Sequence, residues 1–244
     1  MTVSVVIPAW NDAEMLERLL RSLPQREFLE VIVVDNDSND STRDVATEFG
    51  CRIVNGGRPG KARNRGATAA AGTTLLFIDA DVVPTARSLH DVRKFDRSDG
   101  QALRFRHRPL SRDWRIRIAY CFAELWFTLT GMVGVGQGLV SFLAVKRDYF
   151  AETGGFDEDI EPGEDVEFCR RAAIVASAPG PVWVSPRRLL EEGPVRFSAK
   201  TVLWCLLRLI GSRRSVIPYR WEGHPAQRLD VEGQLLGSKT CRVT

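Results

Sequence analysis

The sequence predicts an α/β domain with a mainly parallel central sheet. Short β-branched runs alternate with segments whose apolar residues recur at helical spacing, the order that lays helices across parallel strands. Among these runs, Thr74 to Ile78 is apolar without interruption, as a strand covered on both faces must be. Polar residues gather directly after those runs, where open α/β sheets hold their ligands. With 44% apolar residues among 244, the chain has material for one sizeable core.

Val3-Ser4-Val5-Val6-Ile7 is the first expected strand, stopped by Pro8, and Met15, Leu16, Leu19, Leu20 and Leu23 then mark a helix behind Asn11-Asp12. Val31-Ile32-Val33-Val34 repeats the pattern, followed by a polar turn from Asp35 to Ser41 and a short helix through Val45 and Phe49 that Gly50 can end. Arg52-Ile53-Val54, a glycine-rich turn and a helix from about Lys61 to Ala71 make a third unit. Thr74-Leu75-Leu76-Phe77-Ile78 supplies a fourth strand.

Past Asp81 the regularity loosens. A helix is expected near Ala86 to Phe95, an extended piece at Ala102 to Phe105, a long apolar helix from about Trp114 to Leu129 and a strand from Leu139 to Val145. Gly154-Gly155 reads as a turn, and Val166, Cys169, Ala172, Ala173 and Ala176 as the inward stripe of a helix opened by Pro162-Gly163-Glu164-Asp165. Between Ile118 and Val145 the only charged residue is Glu124. Gly131, Gly134, Gly136 and Gly138 break that stretch, which favours buried core over a membrane span.

Lys plus Arg number 34 against 31 Asp plus Glu, and a net charge of +3 gives no sequence-independent grip on nucleic acid. The 5 cysteines lack any Cys-x-x-Cys spacing, which disfavours a zinc site or a disulfide framework and fits a reducing cytoplasm. No basic lead or cleavage site precedes Val3, so a signal peptide is not expected. From about Val195 onward the chain is basic and partly apolar, which suits peripheral contact with the inner face of a membrane or a lipid-linked acceptor. Its segment Val202 to Ile210 is too short to span a bilayer.

Chemistry concentrates after the strands: Ala9-Trp10-Asn11-Asp12, Asp35-Asn36-Asp37-Ser38 and Asp79-Ala80-Asp81. Asp and Asn there also serve as helix caps, so a single loop decides little. Asp79 and Asp81 stand one residue apart at the end of a wholly apolar strand, and such hard oxygens suit Mg²⁺ or Mn²⁺ with coordination sites left for phosphates. Gly56-Gly57-Arg58-Pro59-Gly60-Lys61-Ala62-Arg63 sets cations before a helix N-terminus, which favours an anion such as a diphosphate or else a solvated basic turn. Glu164-Asp165 follows an acidic loop, and carboxylates crowded there raise one another's pKa toward general-base use while also complementing a helix dipole. His90, His107 and His224 have no metal spacing, and structural or surface roles are expected. Arg112, Trp114, Arg115 and Arg117 read as a solvated helix face.

In order along the chain, Val3-Ser4-Val5-Val6-Ile7-Pro8-Ala9-Trp10-Asn11, Val33-Val34-Asp35 with the polar run to Thr42, Lys61-Ala62-Arg63-Asn64-Arg65-Gly66-Ala67, Phe77-Ile78-Asp79-Ala80-Asp81, and Gly154-Gly155-Phe156-Asp157-Glu158 with Gly163-Glu164-Asp165 resemble glycosyltransferase family 2. The resemblance covers about Val3 to Ala176. It implies a GT-A-type three-layer α/β/α sandwich, with residues 1–194 as the transferase domain and 195–244 as a basic, partly helical extension. Residues 1–100 would then bind the nucleotide and 101–194 the acceptor.

Further implications are an inverting transfer of sugar from a nucleoside diphosphate donor, a UDP-sugar first, to an acceptor hydroxyl on a glycan, lipid-linked or small molecule. Pro8, Ala9, Trp10 and Asp35 would line the base and ribose pocket, and Lys61 and Arg63 would approach the nucleotide. Asp79 would face ribose and diphosphate and share the Mn²⁺ or Mg²⁺ with Asp81. Asp165, beside Glu164, would deprotonate the acceptor. Asp35-Asn36-Asp37 departs from the commoner pattern, in which a second aspartate and then a glycine follow. The alternatives are a sugar nucleotidyltransferase, whose glycine-rich loop after strand one is missing from Ala9-Trp10-Asn11, and a non-catalytic sugar-nucleotide-binding module.

Overall fold

The computed structural model of the chain describes residues 1–132, 141–160, 163–172, 176–193, 196–197, 199–200 and 202–203. The first half follows the expected alternation: β1 (Val3–Ala9), α1 (Ala13–Ser22), β2 (Glu30–Asp35), α2 (Thr42–Glu48), β3 (Arg52–Asn55), α3 (Pro59–Ala69) and β4 (Thr74–Ile78). Then come β5 (Val82–Pro84), α4 (Ala86–Asp96), β6 (Ala102–Pro109), α5 (Trp114–Met132), β7 (Phe142–Lys146), α6 (Arg147–Glu152), α7 (Glu164–Arg171), β8 (Ala176–Val184) and α8 (Arg187–Glu192).

The strands form one sheet in the order β3-β2-β1-β4-β7-β6-β8-β5. β3, β2, β1 and β4 run parallel to one another, as do β6 and β8; β7 is antiparallel to β4 and β6, and β5 is antiparallel to β8. The mainly parallel sheet expected from the sequence is therefore present. β1 is buried at every residue. Its alternate side chains serve two cores: Val3, Val5 and Ile7 pack with Leu16, Leu19 and Leu20 of α1 and Leu89, Val92 and Phe95 of α4, whereas Val6 packs with Ala62 and Ala67 of α3 and Phe168 of α7. This two-sided burial makes the three layers. It also explains the unbroken apolar strands, each fully buried Val, Ile or Leu contributing about 1.5–3 kcal/mol.

Close approach of α3 to the sheet depends on Gly66, where an added Cβ would lie 2.2 Å from Val6 Cγ1 and 2.9 Å from Val34 Cγ2. α4 starts in a capping box: Ser88 N–H donates to Thr85 Oγ1 at 3.0 Å, and Thr85 N–H to Ser88 Oγ at 2.9 Å.

Two expectations need correction. The helix expected to run to Ala176 ends at Arg171, and Ala176 begins β8. The prolines of β8 are accommodated because its register with β6 jumps between Phe105↔Ala178 and Arg106↔Pro181. Pro84 ends β5, an edge strand that tolerates proline. α5 is not wholly buried core: Ile116 and Phe127 face inward, while Ile118, Phe122, Leu125 and Leu129 are exposed. No helix among the described residues is long and apolar enough to cross a membrane. Pro162, Glu161, residues 133–140 with the start of the strand expected at Leu139, His224 and the tail from 204 onward lie outside the described residues.

Candidate active site

The register places Ala9 beside Asp35 and Asp35 beside Asn55, so the loops after the first three strands open at one level on the carboxyl edge of the sheet. Asp79 and Asp81 follow β4 on that edge. The chain runs outward from β1 to β3 and returns to β4 on β1's other side, which makes the edge between β1 and β4 the crevice where such sheets bind ligands.

Hydrogen bonds staple the first two loops together. Asn11, in the left-handed region at φ 49°, donates its N–H to Ser38 Oγ (3.0 Å) and accepts from Asn39 N–H (2.7 Å). Asp40 accepts from Ala13 N–H and from Thr42, so the polar run after β2 serves the loop's architecture. Asn36 N–H donates to Ala9 O at 3.0 Å, while Asp37, also left-handed at φ 53°, is exposed. Asp35 is buried. Its Oδ2 accepts from Arg43 at 2.8 Å, and its Oδ1 is buried with no hydrogen-bond partner. A buried carboxylate oxygen left open at a crevice is what a ligand donor would satisfy. Gly56 is required beside it, because a Cβ there would stand 2.8 Å from the Asp35 carbonyl oxygen.

Arg63 is the hub. It is buried, its Nη2 donates to Asp79 Oδ1 at 2.7 Å and its Nη1 to Glu164 Oε1 at 3.0 Å. Burial opposes the guanidinium's charge, but the carboxylates of Asp79, Glu164 and Asp165 outweigh it and hold the group protonated. Glu164 is pushed up from the ordinary range by burial and by Asp165, against the pull of Arg63. Its second oxygen accepts from Gly163 N–H at 3.1 Å. Asp165 is only half-buried, with Oδ1 accepting from Val166 N–H at 2.8 Å. Both acids lie in the first turn of α7, where the helix dipole favours anions.

The floor under Arg63 is aromatic: its guanidinium lies 5.5 Å from the Phe156 ring, which packs against Phe168 at 4.6 Å and edge-on against Phe77 at 5.4 Å. Asn64 clamps this loop to α3. Its Nδ2 donates to Phe156 O at 2.8 Å and its Oδ1 accepts Phe156 N–H at 2.9 Å. Gly155 has φ +67°, and a Cβ there would come within 2.7 Å of Asn64 Oδ1, so the turn needs glycine on both counts. Arg171 adds bonds to Gly155 O (2.6 Å) and both Glu167 oxygens.

The sequence-named residues are thus brought to one edge. Pro8 and Ala9 are buried there, Trp10 is half-buried, and Lys61 is exposed in the first turn of α3. Among the described residues no group of three or more His, Cys, Asp and Glu is placed to hold a metal. A closed cage of such ligands is therefore not built among the described residues. Asp79 and Asp81 instead fit an ion of the Mg²⁺ or Mn²⁺ type that takes few protein oxygens and completes its shell with phosphates and water.

Two features were not singled out from the sequence. Arg187, at the start of α8, reaches Asp12 Oδ1 at 3.4 Å, and Ser185 N–H donates to Asp81 O at 3.2 Å, so the end of β8 closes over the same edge. In the other half, Glu124 accepts His107 N–H at 2.9 Å, meets its ring Nδ1 at 3.2 Å and meets Arg104 at 3.3 Å. His107 has the structural role expected of it. An isolated acid in an apolar helix was the signal for this network, and its partners required the packing of α5 on β6.

A sheet covered on both faces, with cations and carboxylates over the ends of its parallel strands, defines an α/β protein of the class that binds ligands in that crevice. The model for glycosyl transferase family 2 matches residues 4–129, and the chain belongs to this family. It is 41% identical over 91 residues to a 4,4'-diaponeurosporenoate glycosyltransferase of Staphylococcus haemolyticus, a match covering 33% of this chain and 24% of that protein. It is 32% identical over 107 residues to the poly(ribitol-phosphate) beta-N-acetylglucosaminyltransferase TarS of Staphylococcus aureus, covering 39% of this chain and 19% of TarS. The chain therefore spans a quarter or less of these relatives' length. Among solved structures, glucosyl-3-phosphoglycerate synthase from Mycobacterium tuberculosis in complex with Mn²⁺, UDP and glucosyl-3-phosphoglycerate has a TM-score of 0.61 at 23% identity, over 87% of this chain and 81% of that one. TarS from Staphylococcus aureus in complex with UDP-GlcNAc has a TM-score of 0.55 at 21% identity, over 76% and 58%. At such identities the likeness is one of fold, and it agrees with the GT-A-type sandwich.

Proposed function

We propose that the chain is an inverting glycosyltransferase that moves a sugar from a nucleoside diphosphate donor, a UDP-sugar first, to an acceptor hydroxyl. The observation that carries this reading is Arg63, which joins the acid ending β4 to the acids opening α7 through one buried guanidinium. Donor-side and acceptor-side groups thereby meet at the crevice. The UDP and UDP-GlcNAc in the two similar structures support the choice of donor.

On this reading residues 1–100 hold the nucleotide and 101–194 the acceptor. Pro8, Ala9 and Trp10 line the base pocket, the open Oδ1 of Asp35 accepts from base or ribose, and Lys61 and Arg63 face the diphosphate. Asp81, with Asp79, holds the divalent ion, which when bound neutralises charge on the departing diphosphate. Asp165 takes the proton of the acceptor hydroxyl as its oxygen bonds to the anomeric carbon on the face opposite the diphosphate. The bond to the diphosphate breaks in the same displacement, which inverts the centre. Glu164 is engaged with Arg63 and Gly163 and positions the guanidinium, leaving Asp165 as the base.

A thermal-shift series with UDP-, GDP- and dTDP-sugars, with and without Mn²⁺, tests the donor site, since a ligand that binds only the folded state raises its melting temperature. A metal-dependent rise with UDP-sugars is expected. No shift with any nucleotide overturns the reading. Unchanged turnover in both Asp81→Ala and Asp165→Ala would leave a binding module in place of an enzyme.

A further inference from the structure

The outward face of α5 is apolar and unpartnered among the described residues. Trp114 is 64% exposed, Ile118 58%, Phe122 59%, Leu125 56% and Leu129 54%. At about 100° per residue these five fall within roughly 80° of arc, a stripe about 22 Å long. Ile116, Phe127 and the partly buried Ala123 occupy the opposite side, against the protein, and the partly buried Trp126 packs with them from the flank. Two apolar faces on one helix explain why the sequence reads as buried core although only one face is covered.

Scattered exposed leucines need no explanation, but a continuous stripe of this kind marks a surface that is covered in use. Its charge identifies the cover. Exposed Arg115 and Arg117 flank the stripe at its Trp114 end. Arg115 lies 5.7 Å from the Trp114 ring. From 114 to 129 the one carboxylate is Glu124, and it is turned inward to Arg104 and His107. Asp113, ahead of the helix, is used as a cap, accepting Arg115 N–H at 2.8 Å. Among the described residues the face thus carries cations with no acid to receive the arginines of a second copy, which disfavours an isologous dimer. Apolar side chains ending in a tryptophan, with arginines at the rim, match the boundary between acyl chains and anionic headgroups.

We propose that this face of α5 docks the protein on an anionic phospholipid bilayer, lying in the interface without crossing it. The inference is independent of the transferase reading, because its test needs no turnover. Docked this way, the half proposed to bind the acceptor lies against the lipid.

Cys121 is exposed beside Ile118 and Phe122 and is a built-in probe. The competing thiols react slowly: burial pushes Cys51 up to about 11 and raises buried Cys169 further. In a Cys205→Ser, Cys241→Ser full-length chain, a polarity-sensitive fluorophore on Cys121 should shift to the blue with phosphatidylglycerol-containing vesicles and stay unchanged with phosphatidylcholine alone. In co-sedimentation, Phe122→Ser and Leu125→Ser should each weaken binding about tenfold. Arg115→Gln and Arg117→Gln should each weaken it about fivefold. All four positions are exposed, so an unchanged melting temperature verifies folding. Four results overturn the proposal. They are absence of binding to anionic vesicles, binding that Phe122→Ser leaves intact, a Cys121 that resists labelling because another part of the chain covers it, and a dimer that Phe122→Ser dissociates.

Discussion

Arg63 Nη2 donates to Asp79 Oδ1 across 2.7 Å, and this bond fixes the residue after β4 to the helix that packs beneath it. The same guanidinium holds Glu164 at 3.0 Å, so removing it strands two carboxylates at once. Breaking a buried pair from one side costs about 3–5 kcal/mol, mostly the penalty of the charge left behind. Arg63→Met should lower stability by about that amount in chemical denaturation. Adding Glu164→Gln should restore part of it, because the stranded charge is gone. Recovery of stability without recovery of transfer would separate the structural from the chemical role of the hub.

Asp165 and Asp81 should fail differently. Asp165→Asn keeps the shape and removes the proposed base, so kcat should fall about a hundredfold or more while nucleotide affinity stays near that of the parent. Asp81→Asn should weaken UDP binding chiefly in the presence of Mn²⁺. Calorimetric titration with and without metal, alongside single-turnover rates, distinguishes the two. Equal loss of nucleotide affinity in both variants would remove the division of labour.

The first four strands and their helices were legible because β1, β2 and β4 are buried on both sides, which forces unbroken apolar runs such as Thr74 to Ile78. The candidate site was legible for a related reason: parallel strands deliver their next residues to one edge, so Asp35 and Asp79, at the ends of the two strands that flank β1, had to open on the same side of the sheet. β8 was hidden because Pro179, Gly180 and Pro181 argue against a strand, and only the register jump opposite Phe105 and Arg106 admits them. α5 was misread because being apolar all round, in sequence, does not say which side is covered. Asn64 showed no charge or periodicity; its role is a pair of amide bonds to Phe156, 92 residues away in sequence.

Glu124 gives a pH prediction. Burial pushes its carboxyl up, but hydrogen bonds and charge from His107, with Arg104, outweigh that and hold it below its ordinary value of 4.5. A carboxyl lowered in the folded state adds stability that is present above the unfolded pKa and lost as pH falls through the folded one. Glu124→Gln should therefore melt lower than the parent near neutrality, by about 1–3 kcal/mol in stability. The gap should narrow as pH drops below 4.5. Melting temperatures of both proteins between about pH 7 and pH 3 check the sign. A gap that widens toward acid contradicts the network.

Gly66 offers a test of how α3 carries Arg63 to the edge. Its place in the run from Lys61 to Ala67 follows from contact: a Cβ would stand 2.2 Å from Val6 Cγ1, closer than atoms in a packed interior can come. Gly66→Ala gains about 1 kcal/mol of helix propensity, yet it must push α3 from β1 or force Val6 off its rotamer, at about 1–3 kcal/mol or more. The net effect should be destabilising. Val6→Ala alone should also destabilise, by opening a cavity. Because the clashing methyl group belongs to Val6, the double variant should be more stable than the two separate losses predict. A strictly additive cycle would mean that α3 accommodates the methyl by moving as a body. Arg63 would then shift from Asp79, and transfer should fall even where stability is kept.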